Sequence, residues 1–163
     1  MSGPLDIPTG LLATLRAAVV ERLSAAADFQ DPVTVPVLDG GKTDIISRVS
    51  QALTARTGGL CVVVTAPRVA PFDVDRGIAV TISVQIYEHP LQNWSEKGPC
   101  RAPEDAGEAV MASLMFDDDQ HPGWTPSPHW TVLQFEGLRP VFASTEQTVW
   151  EILFRTHTLI RSA

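Results

Sequence analysis

The sequence predicts an α+β fold, with a mainly antiparallel sheet and about three helices packed on one face. Two observations support this prediction. The segment 77–89 alternates apolar and polar residues, which is typical of a half-buried strand because successive side chains point to opposite faces of a sheet. Predicted helices also interrupt the predicted strands irregularly, which favours an antiparallel sheet over repeated units of one helix between parallel strands.

The segment 77–89 is the strongest strand signal in the chain. Its inward positions are all β-branched, which suits a pleated surface packed on one side. These positions are Ile78, Val80, Ile82, Val84 and Ile86. We expect this strand at the centre of the sheet, with a helix or a second sheet against its apolar face. The last predicted strand, 146–160, also alternates, and we expect it to pair with 77–89 in antiparallel fashion.

The other elements follow from helical spacing, apolar runs and turn residues. Apolar residues at three- and four-residue steps predict helices over about 9–27, 43–56 and 103–116. Short apolar runs predict strands at 33–38, 60–65 and 130–136. Pro36 cannot donate to a neighbouring strand, so the first of these belongs at an edge or ends early. We expect a break at 137–143 before the last strand.

The length and composition fit one globular domain, 1–163. Of its 163 residues, 44% are hydrophobic and 19% are charged. This is enough for a hydrophobic core that needs no disulfide bond or metal ion to stabilise it. We expect 1–8 to form a loose leader and 9–160 the globular part. Apolar runs stay well below the roughly 18 residues that span a bilayer, and the N-terminal residues lack a secretory pattern. We therefore expect a cytoplasmic protein without a membrane contact.

The charge balance is acidic, with a formal net charge of -7 at pH 7. A dedicated nucleic-acid binder relies on Lys and Arg against phosphates, so this balance argues against that class. It is compatible with protein partners. The two cysteines, Cys61 and Cys100, form neither a CxxC pair nor a cluster with histidine at zinc spacing.

One segment has the context of a phosphate-binding loop. Gly41, Lys42 and Thr43 follow a predicted strand and open a predicted helix. The full motif needs a glycine five residues before Gly41, and Pro36 stands there. Proline lacks the amide that would hold a phosphate, so we interpret the segment as a turn followed by a helix start.

An acidic run is the other candidate for a site, because hard cations bind several carboxylates. It consists of Asp117, Asp118 and Asp119, with His121 close behind. Calcium loops space their ligands alternately around a glycine, which is missing here, so we interpret the run as a solvated loop. Neither a zinc spacing nor a nucleophile elbow occurs. The sequence thus predicts no catalytic residue, no metal, no cofactor and no enzyme, although a pair of acid/base carboxylates needs no fixed spacing and stays open.

Tryptophans in Pro-rich loops are more informative. Trp94 and Trp124 lie in 89–101 and 117–129, and Trp130 follows the second loop. Large aromatic side chains either plug a core or anchor a protein interface, where Trp is enriched. We predict a core position for Trp130 and leave both roles open for the other two. The candidate interface residues are Trp94, Trp124, Asp117, Asp118 and Asp119.

The order of these patterns carries a family resemblance. An amphipathic helix at 11–23 is followed by a second at 45–53, which opens with Asp44, Ile45 and Ile46 and continues to Val49. The alternating strand 80–88, a helix with a small-residue face at 104–114 and a closing alternating pair complete the order. Over about 9–160 this order resembles the tail terminator proteins (tail-completion or minor tail proteins) of long-tailed bacteriophages and related tail-like particles.

The resemblance implies a structural role in a virion. Proteins of this family form a ring, commonly a hexamer, on the head-proximal end of the tail tube, where the ring stops tube polymerisation and joins the tail to the head. The implied partners are other copies of the chain, the tail tube protein and a head–tail connector protein. DNA passes through the lumen as cargo. The implied location is the tail of the virion, after assembly in the host cytoplasm.

Two other functions stay open. A head-closure or neck connector protein of the same kind of particle also forms a ring, so only its partner distinguishes it from a terminator. A small soluble enzyme whose active site follows no motif would need a deep polar pocket with perturbed carboxylates.

Overall fold

The computed structural model describes residues 10–30, 34–69, 78–117 and 121–158. The predicted leader, 1–8, lies outside them. Within the described residues the chain forms four α-helices and one short 3-10 helix, Ala27–Phe29. The α-helices are α1 (Leu11–Ser24), α2 (Ile45–Thr54), α3 (Pro90–Asn93) and α4 (Pro103–Met115). Three of them match predicted helices, and the four-residue α3 is not among the predictions.

Eight strands are present in the same residues. They are β1 (Val37–Asp39), β2 (Leu60–Val64), β3 (Arg68–Val69), β4 (Ala79–Glu88), β5 (Phe116–Asp117), β6 (His121–Pro122), β7 (Gln134–Ala143) and β8 (Thr148–His157). Six form one sheet in the order β1-β2-β4-β8-β7, with β3 also paired to β4, while β5 and β6 form a separate pair. Among these described strands, only β1 and β2 pair in parallel. The predicted α+β fold with a mainly antiparallel sheet is confirmed.

The predicted central strand is central. β4 pairs with β2, β3 and β8, all antiparallel. Its pairing with β8 runs from Ala79 opposite His157 to Glu88 opposite Thr148. The predicted pairing of the two long alternating segments is therefore confirmed, and it sets which side chains from distant parts of the chain become neighbours.

One face of the sheet holds the main core. α1 and α4 pack on this face, where the inward residues of β4 are fully buried, namely Val80, Ile82, Val84 and Ile86. Leu15 and Val19 of α1 and Val110 of α4 meet them there. Burial of one such side chain is worth about 1.5–3 kcal/mol relative to exposure, so this layer dominates the stability of the fold.

α2 packs on the opposite face, which differs from the expectation that the helices share one face. Leu53 of α2 packs with Cys61 and Val63 of β2, whereas the alternate residues of β2 point into the main core. The physical reason lies in β2, whose five residues are all apolar and buried. A strand that is apolar on both faces needs a covering layer on both.

The final hairpin is longer than predicted, and the expected break at 137–143 is wrong. β7 runs through that segment as a ten-residue strand. Gly137 and Pro140 each lie beside a register shift in the pairing with β8, so the two residues are accommodated as β-bulges. Proline is tolerated there because β7 is an edge strand.

Candidate interaction surface

The face of the sheet that carries α2 is covered at one end only. α2 packs over β1, β2 and Tyr87 of β4, and no described helix lies over the rest of this face. We call the uncovered area the open face. Strand register assigns to it side chains from β3, β4, β8 and β7: Arg68, Thr81, Ser83, Gln85, Glu151, Leu153, Arg155, Gln134 and Arg139.

A depression of about 200 Å³ lies on the open face. Arg68 and Arg139 line it and are exposed, while Ser83, Glu151 and Leu153 line it from more buried positions. The depression therefore combines two accessible guanidinium groups with a partly apolar floor. Such a surface suits a side chain that has an apolar stem and a negatively charged end.

Glu151 organises the side chains of the open face. Its Oε2 accepts a hydrogen bond from Ser83 Oγ at 2.9 Å, and its Oε1 accepts one from Arg139 Nη2 at 3.1 Å. Desolvation acts to raise the pKa of Glu151, but hydrogen bonds from Ser83, Arg139 and Gln85, together with the charge of Arg139, outweigh it and lower the pKa below the ordinary value. Glu151 is therefore held as a carboxylate at neutral pH.

The open face is less acidic than the chain as a whole. It carries Arg68, Arg139 and Arg155, against Glu151 and the adjacent Glu136, whose Oε1 lies 3.9 Å from Arg155 Nη1. Three positive and two negative charges leave one positive charge in excess, in a chain of net charge -7. An anionic partner surface is therefore favoured over a cationic one.

The outer edge of β7 adjoins the open face. β7 pairs with β8 on one side, and its other edge has no partner strand in the described part of the chain. Phe135, Val141 and Phe142 are exposed in this strand, with Phe135 on the core face opposite Phe154 and Phe142 on the other face opposite Val149. An unpaired edge invites another strand, but proline and bulges oppose that pairing. We infer that contacts here are made by the apolar side chains rather than by the backbone.

Trp94 is accessible and held in place. Its side chain is 56% exposed, and its indole Nε1 donates to Oε2 of the buried Glu88 at 3.2 Å. The same carboxylate accepts hydrogen bonds from Asn93 Nδ2 and Thr148 Oγ1. The loop after β4 is thereby tied to both central strands, so Trp94 offers an aromatic surface whose orientation is already fixed.

The other predicted interface residues lie elsewhere. Trp124 is partly buried against the main core, with the guanidinium carbon of Arg22 at 5.3 Å from its ring centroid. Trp130 is 1% exposed, as predicted for a core residue. Asp117 ends the short strand β5, whereas Asp118 and Asp119 lie outside the described residues. The structure does not bring Trp94 and Trp124 together, and the interface role of all five residues stays a prediction.

The glycine segment before α2 forms a turn, as interpreted from the sequence. The backbone N–H of Gly41 donates to Asp39 Oδ1 at 2.9 Å. An amide that a phosphate would need is thus occupied, and it faces a carboxylate that would repel the phosphate. Among the described residues, no three histidine, cysteine or carboxylate side chains cluster to hold a metal ion.

No motif or spacing in the sequence marks Ser83, Arg139 or Glu151 as members of one site. Their relation depends on the register of three strands, and Ser83 and Glu151 stand 68 positions apart. A partial signal existed in Thr81, Ser83 and Gln85, the polar positions of the central strand, which predict a face that is not buried.

The fold and this surface together define a small α+β protein with an uncovered sheet face and an exposed apolar edge. The chain shares its fold with a chain of a solved structure described as the virion of a native gene transfer agent (GTA) particle. The TM-score is 0.59 at 16% sequence identity, and the superposition covers 93% of this chain and 98% of that chain. No protein-family model and no curated protein matches the sequence.

Within the residues that the structure describes, none of the helices combines the length and the apolar character needed to cross a membrane.

Proposed function

We propose that this chain is a structural protein of the virion of a phage or phage-like particle. The observation that carries the proposal is the fold shared with a virion chain over nearly the full length of both chains. The open face and the apolar edge of β7 support it, because a subunit of an assembly keeps such surfaces for its neighbours.

Within that class we propose the role of a tail terminator. Copies of the chain form a ring, a hexamer, on the head-proximal end of the tail tube, stop its polymerisation and join the tail to a head–tail connector protein. A closed ring requires two different surfaces that meet head to tail, and the molecule has dissimilar surfaces on opposite sides of its sheet. The net charge of -7 favours a lumen that repels DNA and lets it pass as cargo.

We assign the contact with tube or connector to the predicted interface residues. Trp94 is the foremost candidate because it is exposed, aromatic and held by Glu88. Aromatic anchors of this kind carry much of the binding energy at protein interfaces. Trp124 and the acidic run 117–119 form a second candidate contact.

The test is a tube-capping assay with the full chain and the tail tube protein from the same genome. Tubes are polymerised with substoichiometric amounts of gold-labelled chain, and electron microscopy gives their lengths and the position of the label. We expect shorter tubes with label at one end only. Trp94→Ala should abolish capping without unfolding the chain, whereas Leu91→Ala, at a 76% exposed position in α3 just before Trp94, should cap normally.

A connector role is the second candidate, because the same shared fold supports any ring component of such a particle. It predicts that the chain ignores tubes and binds the portal or adaptor protein instead, measured by cosedimentation. A chain that binds neither tubes nor the portal would refute the proposal of a virion protein at this junction.

A further inference from the structure

We propose that the open face is the docking site for helix α4 of a second copy of this chain. The proposal rests on the proposed function in one respect, since a ring needs a surface pair of this head-to-tail kind. It adds the identity of the two surfaces, which neither the shared fold nor the family resemblance provides.

The outward side of α4 is acidic and unpaired. Glu104, Asp105 and Glu108 are exposed, while the opposite side of the helix is buried in the main core. α4 contains no basic residue. Among the described residues, the ion pairs that form involve other carboxylates. These three charges are therefore available to a partner.

The acidic and basic surfaces lie on opposite sides of one molecule. α4 covers the core face of the sheet, whereas Arg68, Arg139 and Arg155 stand on the open face. One copy cannot bring its own α4 to its own open face, so the attraction acts between copies. It orients them head to tail, and the contact leaves the same two surfaces free at the ends for further copies.

The dimensions of the two surfaces agree. α4 has thirteen residues and is therefore about 20 Å long, with a diameter of about 10 Å. The uncovered strands β4, β8 and β7 span about 10 Å between the outer two, since neighbouring strands lie about 4.8 Å apart. The exposed Ala112 adds little bulk to the outward side of α4. A helix in this position would extend the layer that α2 begins.

The charges indicate where the carboxylates are held. Arg139 is already shared with Glu151 through a 3.1 Å ion pair, while no ion pair of Arg68 is present in the described part of the chain. A carboxylate such as that of Glu108 in the depression would face Arg68 and Arg139 together. Guanidinium groups bind carboxylates in a planar, two-pronged way, which adds geometric selection to the attraction.

A charge-exchange experiment on the full chain tests the proposal. The face variant is Arg68→Glu with Arg139→Glu, and the helix variant is Glu104→Lys with Glu108→Lys. Each variant alone has two surfaces of like charge, so we expect self-association to weaken on the order of a hundredfold. An equimolar mixture restores opposite charges at every contact and should assemble like the wild type. Size-exclusion chromatography with light scattering measures both.

Matched controls use charges away from both surfaces. Glu96→Lys and Lys97→Glu lie in the exposed loop after α3 and should leave assembly unchanged, alone or mixed. Far-UV circular dichroism and thermal melts of every variant establish that it is folded. The combined variant, with face and helix both reversed, should assemble by itself and covers the case in which one double variant is unstable.

Three outcomes would overturn the interface. The first is a wild type that stays monomeric both at its highest soluble concentration and on tubes. The second is a helix variant that assembles like the wild type. The third is an equimolar mixture of the two folded variants that does not assemble. The tube-capping assay keeps the two proposals apart. Capping by a wild type whose assembly ignores the charge exchange refutes only this interface. Charge-dependent assembly of a chain that ignores tubes and portal refutes only the role in the tail.

Discussion

Two halves of one sheet face differ in what covers them. Under α2, the face presents Cys61 and Val63 of β2 to Leu53 of the helix. On the open face it presents polar side chains such as Ser83 and Glu151, which are hydrogen-bonded to each other. The backbone pairing is continuous across both halves, so the side chains alone make the difference. An apolar face must be covered. A polar face whose side chains are hydrogen-bonded to each other tolerates water and stays available to a partner.

The largest expected effect is the difference in unfolding free energy lost by two leucine substitutions, one in each half of the face. Leu53→Ala removes a buried contact of α2 and should cost about 2–4 kcal/mol of unfolding free energy. Leu153→Ala on the open face, where the side chain is only partly buried, should cost about 1 kcal/mol or less. Urea denaturation followed by circular dichroism measures both. Equal losses would contradict the distinction between a covered and an uncovered half.

The buried thiol of Cys61 under α2 should make the stability of the fold depend on pH in the alkaline range. Burial raises the pKa of Cys61 from 9.0 to about 12, so above pH 9 the unfolded chain releases a proton that the folded chain keeps. Stability is then complete below pH 9 and falls as the pH rises from 9 towards 12, by about 1.4 kcal/mol between pH 8 and 10.

Urea midpoints at pH 8 and pH 10 measure this loss. Cys61→Ala should remove that part of the pH dependence, and Cys100→Ala, at an exposed position, should retain it. The same slope in Cys61→Ala and in the wild type would show that the covered half does not exclude water from the thiol.

On the open face, Glu151→Gln should cost about 1 kcal/mol at pH 7, because the amide replaces a carboxylate that accepts two hydrogen bonds. The lowered pKa of Glu151 means that its contribution is present above the ordinary value of 4.5 and is lost as the pH falls below it. The penalty should therefore fade between pH 5 and pH 3 in urea titrations. Glu21→Gln, at an exposed position on α1, serves as control. If the cost of Glu151→Gln persists at pH 3, the loss comes from packing rather than from the charge of Glu151.

The smallest expected effect concerns Arg139, whose side chain is 66% exposed. Arg139→Gln should cost only a few tenths of a kcal/mol, because solvent screens exposed ion pairs and Ser83 still holds Glu151. Arg48→Gln, which breaks an exposed i,i+4 pair between α2 and its N-cap residue Asp44, should cost about as much. A clearly larger loss for Arg139 than for Arg48 would mean that the open face is drier than its exposure indicates.

The elements that the sequence predicts best are those in which one pattern repeats along one segment. The alternation in 77–89 and 146–160 is enough to predict β4, β8 and their pairing. The sequence also contains the information that places α2, since five consecutive apolar residues in β2 require cover on both faces. The amphipathic pattern of a helix alone does not determine on which face of the sheet it packs.

The rest depends on contacts between distant segments. Gly137 and Pro140 are breakers by local rules, and only the pairing of β7 with β8 converts them into bulges within a strand. Ser83, Glu151 and Arg139 come from three strands, so their network appears only once the register is known. Local pattern shows that such side chains lie on the polar face of a strand, but not which of them meet.

The proline and bulges of β7 also affect how the free chain behaves in solution. A straight apolar edge strand would recruit identical strands from other copies into cross-β stacks. In β7 the interrupted register prevents such stacking, while Phe135, Val141 and Phe142 remain exposed. The backbone of an edge fits any strand, whereas a set of side chains fits one shape. The edge thus disfavours the addition of further strands, while its exposed side chains could still select a surface of matching shape.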